Sequence, residues 1–451
     1  MDPILIAGIV ILALFAFVLL GFPIAFSLAG LSVLGIFLVT GRFDIAISIL
    51  ASTSFEALRN YTFAVVPLFM LMGAFLSNSE MAKDLFKFAN HFLKKIPAGL
   101  GVATVIANAI FAAITGVAIA SAAVFSKVST PQMLRHNYSK AFATGSVAGT
   151  STLGMLIPPS LMFIMYGMLA EVAIGKLFMA GFIPGIILAA MFSSGIVLLA
   201  IYKPSFVFDT SKKKSWKETK DETENIDISE GGENIAILTI RVIPILLLII
   251  LVLGGIWGGI FTPTEASAVG SLGALVIGFT MGGLGWEGFK KALLDTASGT
   301  ASVLFLLMSA IMYSRMLAIS GVLRCVTNWV GGLDVSSYVI LFVFLGITLL
   351  MGCVLDSISI LLLLVPLVVP IMNTLGFDPI WFGVVLVLTI HMGLLTPPFG
   401  MSVFAVKAAI DIDISVQTIF YGSMPFLIIM IPHLFLIIAF PILSTWLPSL
   451  M

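Results

Sequence analysis

The chain has 451 residues, 60% hydrophobic and 10% charged, with 22 Lys+Arg balanced by 22 Asp+Glu. Globular domains carry roughly 25% charged residues, so an ordinary soluble enzyme is excluded, and zero formal net charge leaves no basic surface for nucleic acid. Two cysteines, Cys325 and Cys353, are too few for a disulfide framework or a zinc cluster. The composition is that of an all-α polytopic membrane protein.

A membrane helix needs about 20 mostly apolar residues. Spans are expected near 4–20, 23–40, 62–79, 99–133, 140–170, 177–202, 238–260, 265–284, 298–316, 338–371, 381–408 and 416–446. The apolar stretch from Pro3 to Ala25 lacks a basic leader and a small-residue cleavage site, so it reads as a retained span. Residues 80–96 and 285–297 are amphipathic and are expected to lie along the interface. The first sets Leu85, Phe88, Ala89 and Phe92 against Lys83, Lys87 and Lys94, and the second sets Trp286, Phe289 and Leu293 against Lys290 and Lys291. Residues 203–236 hold six Lys and eight Asp/Glu, a solvated and mobile loop that divides the chain into two hydrophobic halves.

Placing that loop in the cytoplasm and alternating the spans puts sixteen Lys/Arg on the cytoplasmic side and five outside (Arg42, Arg59, Lys176, Arg315 and Arg324). The positive-inside rule favours this orientation, with both termini periplasmic. Internal similarity supports it. A Pro-containing turn at 21–26 recurs at 260–265, and GMLIPPSLM at 154–162 recurs as GLLTPPFGM at 393–401. The first span of one half then runs inward and that of the other outward. Inverted repeats with broken helices at matching positions are the signature of secondary transporters.

Pro158-Pro159 and Pro397-Pro398 must break their helices, since proline removes a donor and clashes with the carbonyl four residues back. Broken backbone inside a bilayer is tolerated only where protein or a watery cavity satisfies it. The preceding segments, 145–157 and 393–396, are rich in Gly, Ser and Thr, whose carbonyls and hydroxyls are hard oxygen ligands suited to sodium. The double-length stretches 99–133 and 338–371 read as re-entrant hairpins with tips at Thr115-Gly116-Val117 and at Gly352 to Ser357. Asp356 then sits at a hairpin tip, where an intramembrane carboxylate is a functional candidate and also a candidate helix cap. Lys127 neutralises a hairpin arm or touches an anionic substrate, and Arg315 and Arg324 face substrate or a partner. His391 and His433 read as satisfied interior residues, and Glu265 as a first-turn helix acid. Neither GxxxxGK[ST] nor a Ser-His-Asp or HExxH pattern occurs, so no ATPase or hydrolase is expected.

The sequence resembles the large membrane (M) subunit of tripartite ATP-independent periplasmic (TRAP) transporters over essentially its whole length. The resemblance rests on VPLFMLMGAFL at 66–76, ITGVAIASAAVFSKVSTPQM at 114–133, the 149–185 segment, GGIWGGIFTPTEASAVG at 254–270, PLVVPIMNTLGFDPIWFG at 366–383 and GLLTPPFGMSVFAVKAA at 393–409. It implies sodium-driven import of an organic anion, a C4-dicarboxylate or a sialic acid, by an elevator motion and with no cofactor beyond the coupling ion. It also implies a four-helix Q-type membrane subunit, a periplasmic P-type binding protein, and residence in the bacterial inner membrane. Sodium ligands would fall on Thr115, Gly116, Val117, Gly149, Thr150, Ser151, Gly352, Asp356, Gly393 and Thr396. Val117 stands where the family usually has a second hydroxyl, so only its carbonyl can serve. Substrate contacts would fall on Lys127, Ser357, Pro158, Pro159, Pro397, Pro398 and Gly400.

The implied organisation is a scaffold with a first arm helix (1–98), transport-domain parts at 99–175 and 338–412, and a connecting span at 176–202. The 203–236 loop, a second scaffold part with an arm helix (237–337) and a C-terminal span (413–451) complete it. An alternative is an ion-coupled carrier of the same two-hairpin superfamily that works without a binding protein.

Overall fold

A computed structural model describes residues 3–209 and 235–451. The expected solvation and mobility of the charged loop therefore fall, for 210–234, outside the described residues. The first half contains α1 (Pro3–Leu19), α2 (Ile24–Thr40), α3 (Phe43–Arg59), α4 (Val65–Ser77), α5 (Met81–Leu93), α6 (Gly99–Thr115), α7 (Ala118–Arg135), α8 (Lys140–Ser151), α9 (Leu153–Leu156), α10 (Leu161–Ala170), α11 (Ile174–Tyr202) and α12 (Pro204–Val207). The second contains α13 (Ile235–Trp257), α14 (Pro263–Thr280), α15 (Trp286–Ser320), α16 (Val322–Gly331), α17 (Ser337–Gly352), α18 (Ser357–Thr374), α19 (Pro379–Leu395), α20 (Met401–Ala409), α21 (Val416–Ala439) and α22 (Ile442–Thr445). Among the described residues the only β pairing is an isolated antiparallel bridge, Tyr138 to Phe208.

The halves are structural repeats in nearly constant register. The starts of α2 and α14, of α7 and α18, and of α8 and α19 each lie 239 residues apart, and those of α10 and α20 lie 240 apart. In this register the two amphipathic segments, 80–96 and 285–297, are not counterparts. The counterpart of α5 is α16, 241 residues on, whereas the N-terminal part of α15 corresponds to α3. The sequence reading treated 42–61 and 317–337 as connections. α3 carries Asp44, Glu56 and Arg59, and α16 is only ten residues long, so neither shows the long uncharged run that identifies a span.

The second expected interfacial piece is not separate. Residues 286–297 continue into the following span as one 35-residue helix. At 1.5 Å per residue it is about 52 Å long, against roughly 30 Å of hydrocarbon, so its charged start with Glu287, Lys290, Lys291 and Asp295 reaches beyond the apolar layer. α5 is a distinct amphipathic helix, but it buries Met81, Leu85, Phe86 and Ala89 against protein. Its nearly buried Asp84 meets Arg241 of α13 at 3.5 Å. Among the described residues five helices are long and apolar enough to cross a membrane, α11, α13, α15, α18 and α21. Two bent pairs, α3 with the 61–77 segment (58°) and α8–α9 with α10 (41°), add to them.

α1, α2, α4, α13, α14 and α15 pack on one another, while the hairpins and broken helices pack together with α11 and α21. Within the second group the repeats interlock, α20 lying on α7 and α10 on α18. α8 and α21 cross so closely that a Cβ on Gly422 would stand 1.8 Å from the Ala141 carbonyl oxygen. α4 and α5 against α6, and α15 and α16 against α18, join the two groups.

Candidate functional site

Hairpin 1 is α6–α7, turned by Gly116 and Val117. Gly116 adopts φ +62°, which caps α6 and suits a residue without Cβ. Its carbonyl accepts from the Leu161 amide at 3.3 Å, and a Cβ added there would stand 2.7 Å from the Pro159 carbonyl oxygen. The tip is thus seated on the first double-proline break. Pro158 and Pro159 are buried, and their bond is cis, as is that of Pro397-Pro398.

Behind the tip lies a buried knot that sequence reasoning missed. The Asn108 amide nitrogen on α6 donates to Thr150 Oγ1 on α8 at 2.8 Å, and the Asn108 carbonyl oxygen accepts a short bond from Ser121 Oγ on α7. All three side chains have no exposed surface. One amide therefore holds both arms of the hairpin and the broken helix together. The available signal was the single Asn in GLGVATVIANAIFAAIT, whose other polar side chains are only Thr104 and Thr115, since polar groups inside a membrane are costly and retained for a purpose.

Hairpin 2 is α17–α18. Gly352, at the end of α17, lies backbone to backbone against Gly393 of α19: a Cβ on either would approach the other's Cα to 2.6 or 2.5 Å. Two expected site residues from separate segments are thereby brought into contact. Asp356 is the N-cap of α18, accepting from the Ser359 amide at 3.1 Å and from the Ser359 hydroxyl in a short bond. The capping role is therefore real. The second break is open where the first is closed, with Pro397, Pro398 and Phe399 exposed and Val354 at the hairpin tip 44% exposed. Gly400 is buried under Phe420.

The candidate hydroxyls share one geometry. Thr115 donates to the Phe111 carbonyl at 3.2 Å, Thr150 to Ser146 at 2.8 Å, Ser151 to Ala148 at 2.8 Å and Thr396 to Met392 at 2.8 Å. Giving the proton to a helix carbonyl leaves the oxygen lone pairs to accept, which is the half of a hydroxyl that a cation uses, although Thr150 already accepts from the Asn108 amide. Gly149 accepts from the Thr152 hydroxyl at 2.6 Å, and Ser357 is nearly buried beside Asp356.

Lys127 is exposed on α7 and lies about 15 Å along the helix from the tip, so it is not brought into the cluster. Arg315 is engaged with α3, bonding Thr53 at 2.8 Å and pairing with Glu56. Arg324 is exposed on α16. His391 and His433 are interior, but neither ring has a hydrogen-bond partner among the described residues, which corrects the expectation that they are satisfied. Glu265 behaves as expected: it closes a capping box with Thr262 in the first turn of α14. A separate cavity of about 910 Å³, with Glu56, Asn60, Glu171, Lys176 and Thr262 among its walls, lies between the α3–α4 bend, the α10–α11 turn and the α13–α14 turn.

Hairpin 1 seated by its tip on the first break, and hairpin 2 set against α19 through Gly352 and Gly393, define a helical membrane carrier. The chain belongs to the TRAP transporter family: the model for the tripartite ATP-independent periplasmic transporter, DctM component, matches residues 11–443. It is therefore a multi-pass transporter permease of the inner membrane and not an enzyme. It is 30% identical over 401 residues to the C4-dicarboxylate TRAP transporter large permease protein DctM of Pseudomonas aeruginosa, covering 89% of each chain. It is 29% identical to the sialic acid TRAP transporter large permease protein SiaM of Vibrio cholerae, covering 95% of each. The isethionate TRAP transporter permease protein DctMQ of Oleidesulfovibrio alaskensis is 29% identical, and this chain spans 64% of its length. The crystal structure of the Alcanivorax borkumensis YdaH transporter shares the fold, with a TM-score of 0.60 at 12% identity over 90% of this chain and 88% of that one.

Proposed function

We propose that the protein imports an organic anion of the C4-dicarboxylate or sialic acid class, driven by sodium entering with it. The observation that carries this reading is the docking of a hairpin tip or arm onto a broken helix in both halves, through Gly116 on the first break and Gly352 on Gly393 beside the second. The hairpins, the broken helices and their immediate neighbours form the moving unit, and α1, α2, α4, α13, α14 and α15 the static one. Their motion is of the elevator type. A small membrane subunit and a periplasmic binding protein complete the assembly; the name DctMQ and the extra length of that relative support the first of these. Both termini are periplasmic, which places the 910 Å³ cavity on the face that a binding protein meets.

Reconstitution into liposomes with a sodium gradient, a Q-type subunit and a cognate binding protein tests the whole reading. Thr396→Val keeps the shape but removes one oxygen, worth on the order of 1 kcal/mol, and should raise the half-saturating sodium concentration about fivefold. Asp356→Asn should raise it further. Asparagine caps a helix as well as aspartate does, so this variant removes the charge while sparing α18. Unchanged sodium dependence in both would make the second break a packing feature.

Sidedness has its own test. Cysteines at Gly116 or Gly352 would be obstructed by backbone, so Val117 and Val354 are the better positions. With Cys325 and Cys353 replaced by Ser, Val354→Cys should label from the periplasmic side. Val117→Cys should label from the cytoplasmic side, or in one transport state only. Equal labelling of both from one side in every state would overturn the inverted arrangement.

A further inference from the structure

A groove of about 660 Å³ runs between α11 and α21, away from both breaks, and is closed at one end by the 203–206 segment. Its volume lies inside the range of about 300–1,000 Å³ typical of small-molecule sites. One end is polar: Lys203, Ser205 and Tyr421, all exposed, stand there. The rest is apolar, with Leu199 on one wall and Met424, Pro425 and Ile428 on the other. From Tyr421 to Ile428 the groove descends about 10 Å along the helix. Pro425 has no N–H to give the Tyr421 carbonyl, so an acceptor is left near the polar end as well.

The end wall is held in place. The Ser139 amide donates to the Val207 carbonyl at 2.9 Å, the Asp209 amide to the Asn137 carbonyl at 2.8 Å, and the Ser139 hydroxyl to the Phe206 carbonyl at 2.6 Å. These bonds staple the chain after α11 to the α7–α8 turn. The rings of Phe206 and Tyr421 meet edge to face at 5.3 Å beside the polar end. At the deep end a Cβ on Gly195 would meet Ile429 Cδ1 at 2.4 Å, so Gly195 sets how closely the two helices approach.

We propose that this groove binds one anionic phospholipid. The phosphate sits at Lys203, Ser205 and Tyr421, and an acyl chain lies along Leu199, Met424 and Ile428. In the orientation given above this is the cytoplasmic leaflet, where basic residues at a helix end recognise anionic headgroups. Charge complementarity selects the class of lipid, because among the described residues the lining holds a lysine and no carboxylate. The one-end-polar, one-end-apolar shape selects a lipid over a free anion.

Native mass spectrometry of the full chain in detergent tests this with phosphatidylglycerol, phosphatidylcholine and inorganic phosphate as probes. Phosphatidylglycerol should remain bound at one per chain, at least fivefold more than phosphatidylcholine, and phosphate should not displace it. Lys203→Gln should remove that preference and Lys203→Arg should keep it. Gly195→Val, which pushes Ile429 into the groove, should lower binding of both lipids. Thermal melting in detergent shows that each variant is folded. Equal binding of the two lipids to the natural chain, or unchanged preference in folded Lys203→Gln, would overturn the proposal. So would displacement by phosphate, which would mark a free-anion site, or by the small membrane subunit, which would mark a protein interface.

Discussion

Gly393→Ala is expected to abolish uptake while leaving membrane insertion intact. A Cβ on Gly393 would lie 2.5 Å from the Gly352 Cα and 3.3 Å from the Leu349 carbonyl oxygen. Both are backbone atoms, so no rotamer change relieves the contact and α19 has to part from hairpin 2. Overpacking a well-fitted interior costs typically about 1–3 kcal/mol, and the upper figure corresponds to about 150-fold in the population of the affected state. Backbone against backbone belongs at that upper end. Gly346→Ala, on the same hairpin arm with nothing within 4 Å, is the matched control and should transport normally. Uptake into liposomes under an imposed sodium gradient measures both. Uptake by Gly393→Ala above a tenth of the natural rate would show that close docking of hairpin 2 is dispensable.

Asn108→Leu should be nearly as damaging, for the opposite reason. It fills the space but leaves the buried Ser121 hydroxyl without its acceptor and Thr150 without its donor. Each buried polar group left unsatisfied costs about 1–3 kcal/mol. The melting temperature should fall, and uptake should drop at least tenfold because hairpin 1 is no longer tied to the broken helix. A double-mutant cycle identifies the cause. Asn108→Ala and Ser121→Ala remove the same bond, so together they should cost much less than their sum, with a coupling of about 0.5–3 kcal/mol. Additive costs would mean that Asn108 acts through some other contact.

The elements readable from the sequence were those whose signal is local. Both hairpin turns were placed because Gly116, and the cluster from Gly352 to Ser357, interrupt apolar stretches too long for one span. Both breaks were placed because two adjacent prolines follow Gly-, Ser- and Thr-rich segments at matching positions of the repeat, whereas single prolines such as Pro366 and Pro425 are carried inside α18 and α21. Glu265 was placed because a capping box needs only four consecutive residues. The elements misread had weak local signals. α3 is charged enough to pass for a connection, and the start of α15 imitates an interfacial helix until the register of the repeat shows its true counterpart.

The class of protein, the two repeats, the helix breaks and the short list of residues from which a site could be made all follow from the order of residues. Composition, proline chemistry and a 239-residue register are properties of the chain alone. Which of those residues meet was settled by the packing of the helices. It set Gly352 on Gly393 and Gly116 over Pro159, left Lys127 outside, and drew in Asn108, which no motif marks. The physical reason is that a hydrogen bond or a backbone contact between distant segments depends on helix packing angles and depths to within an ångström or so. Those are fixed by the summed packing of many side chains, and no single stretch of sequence encodes them.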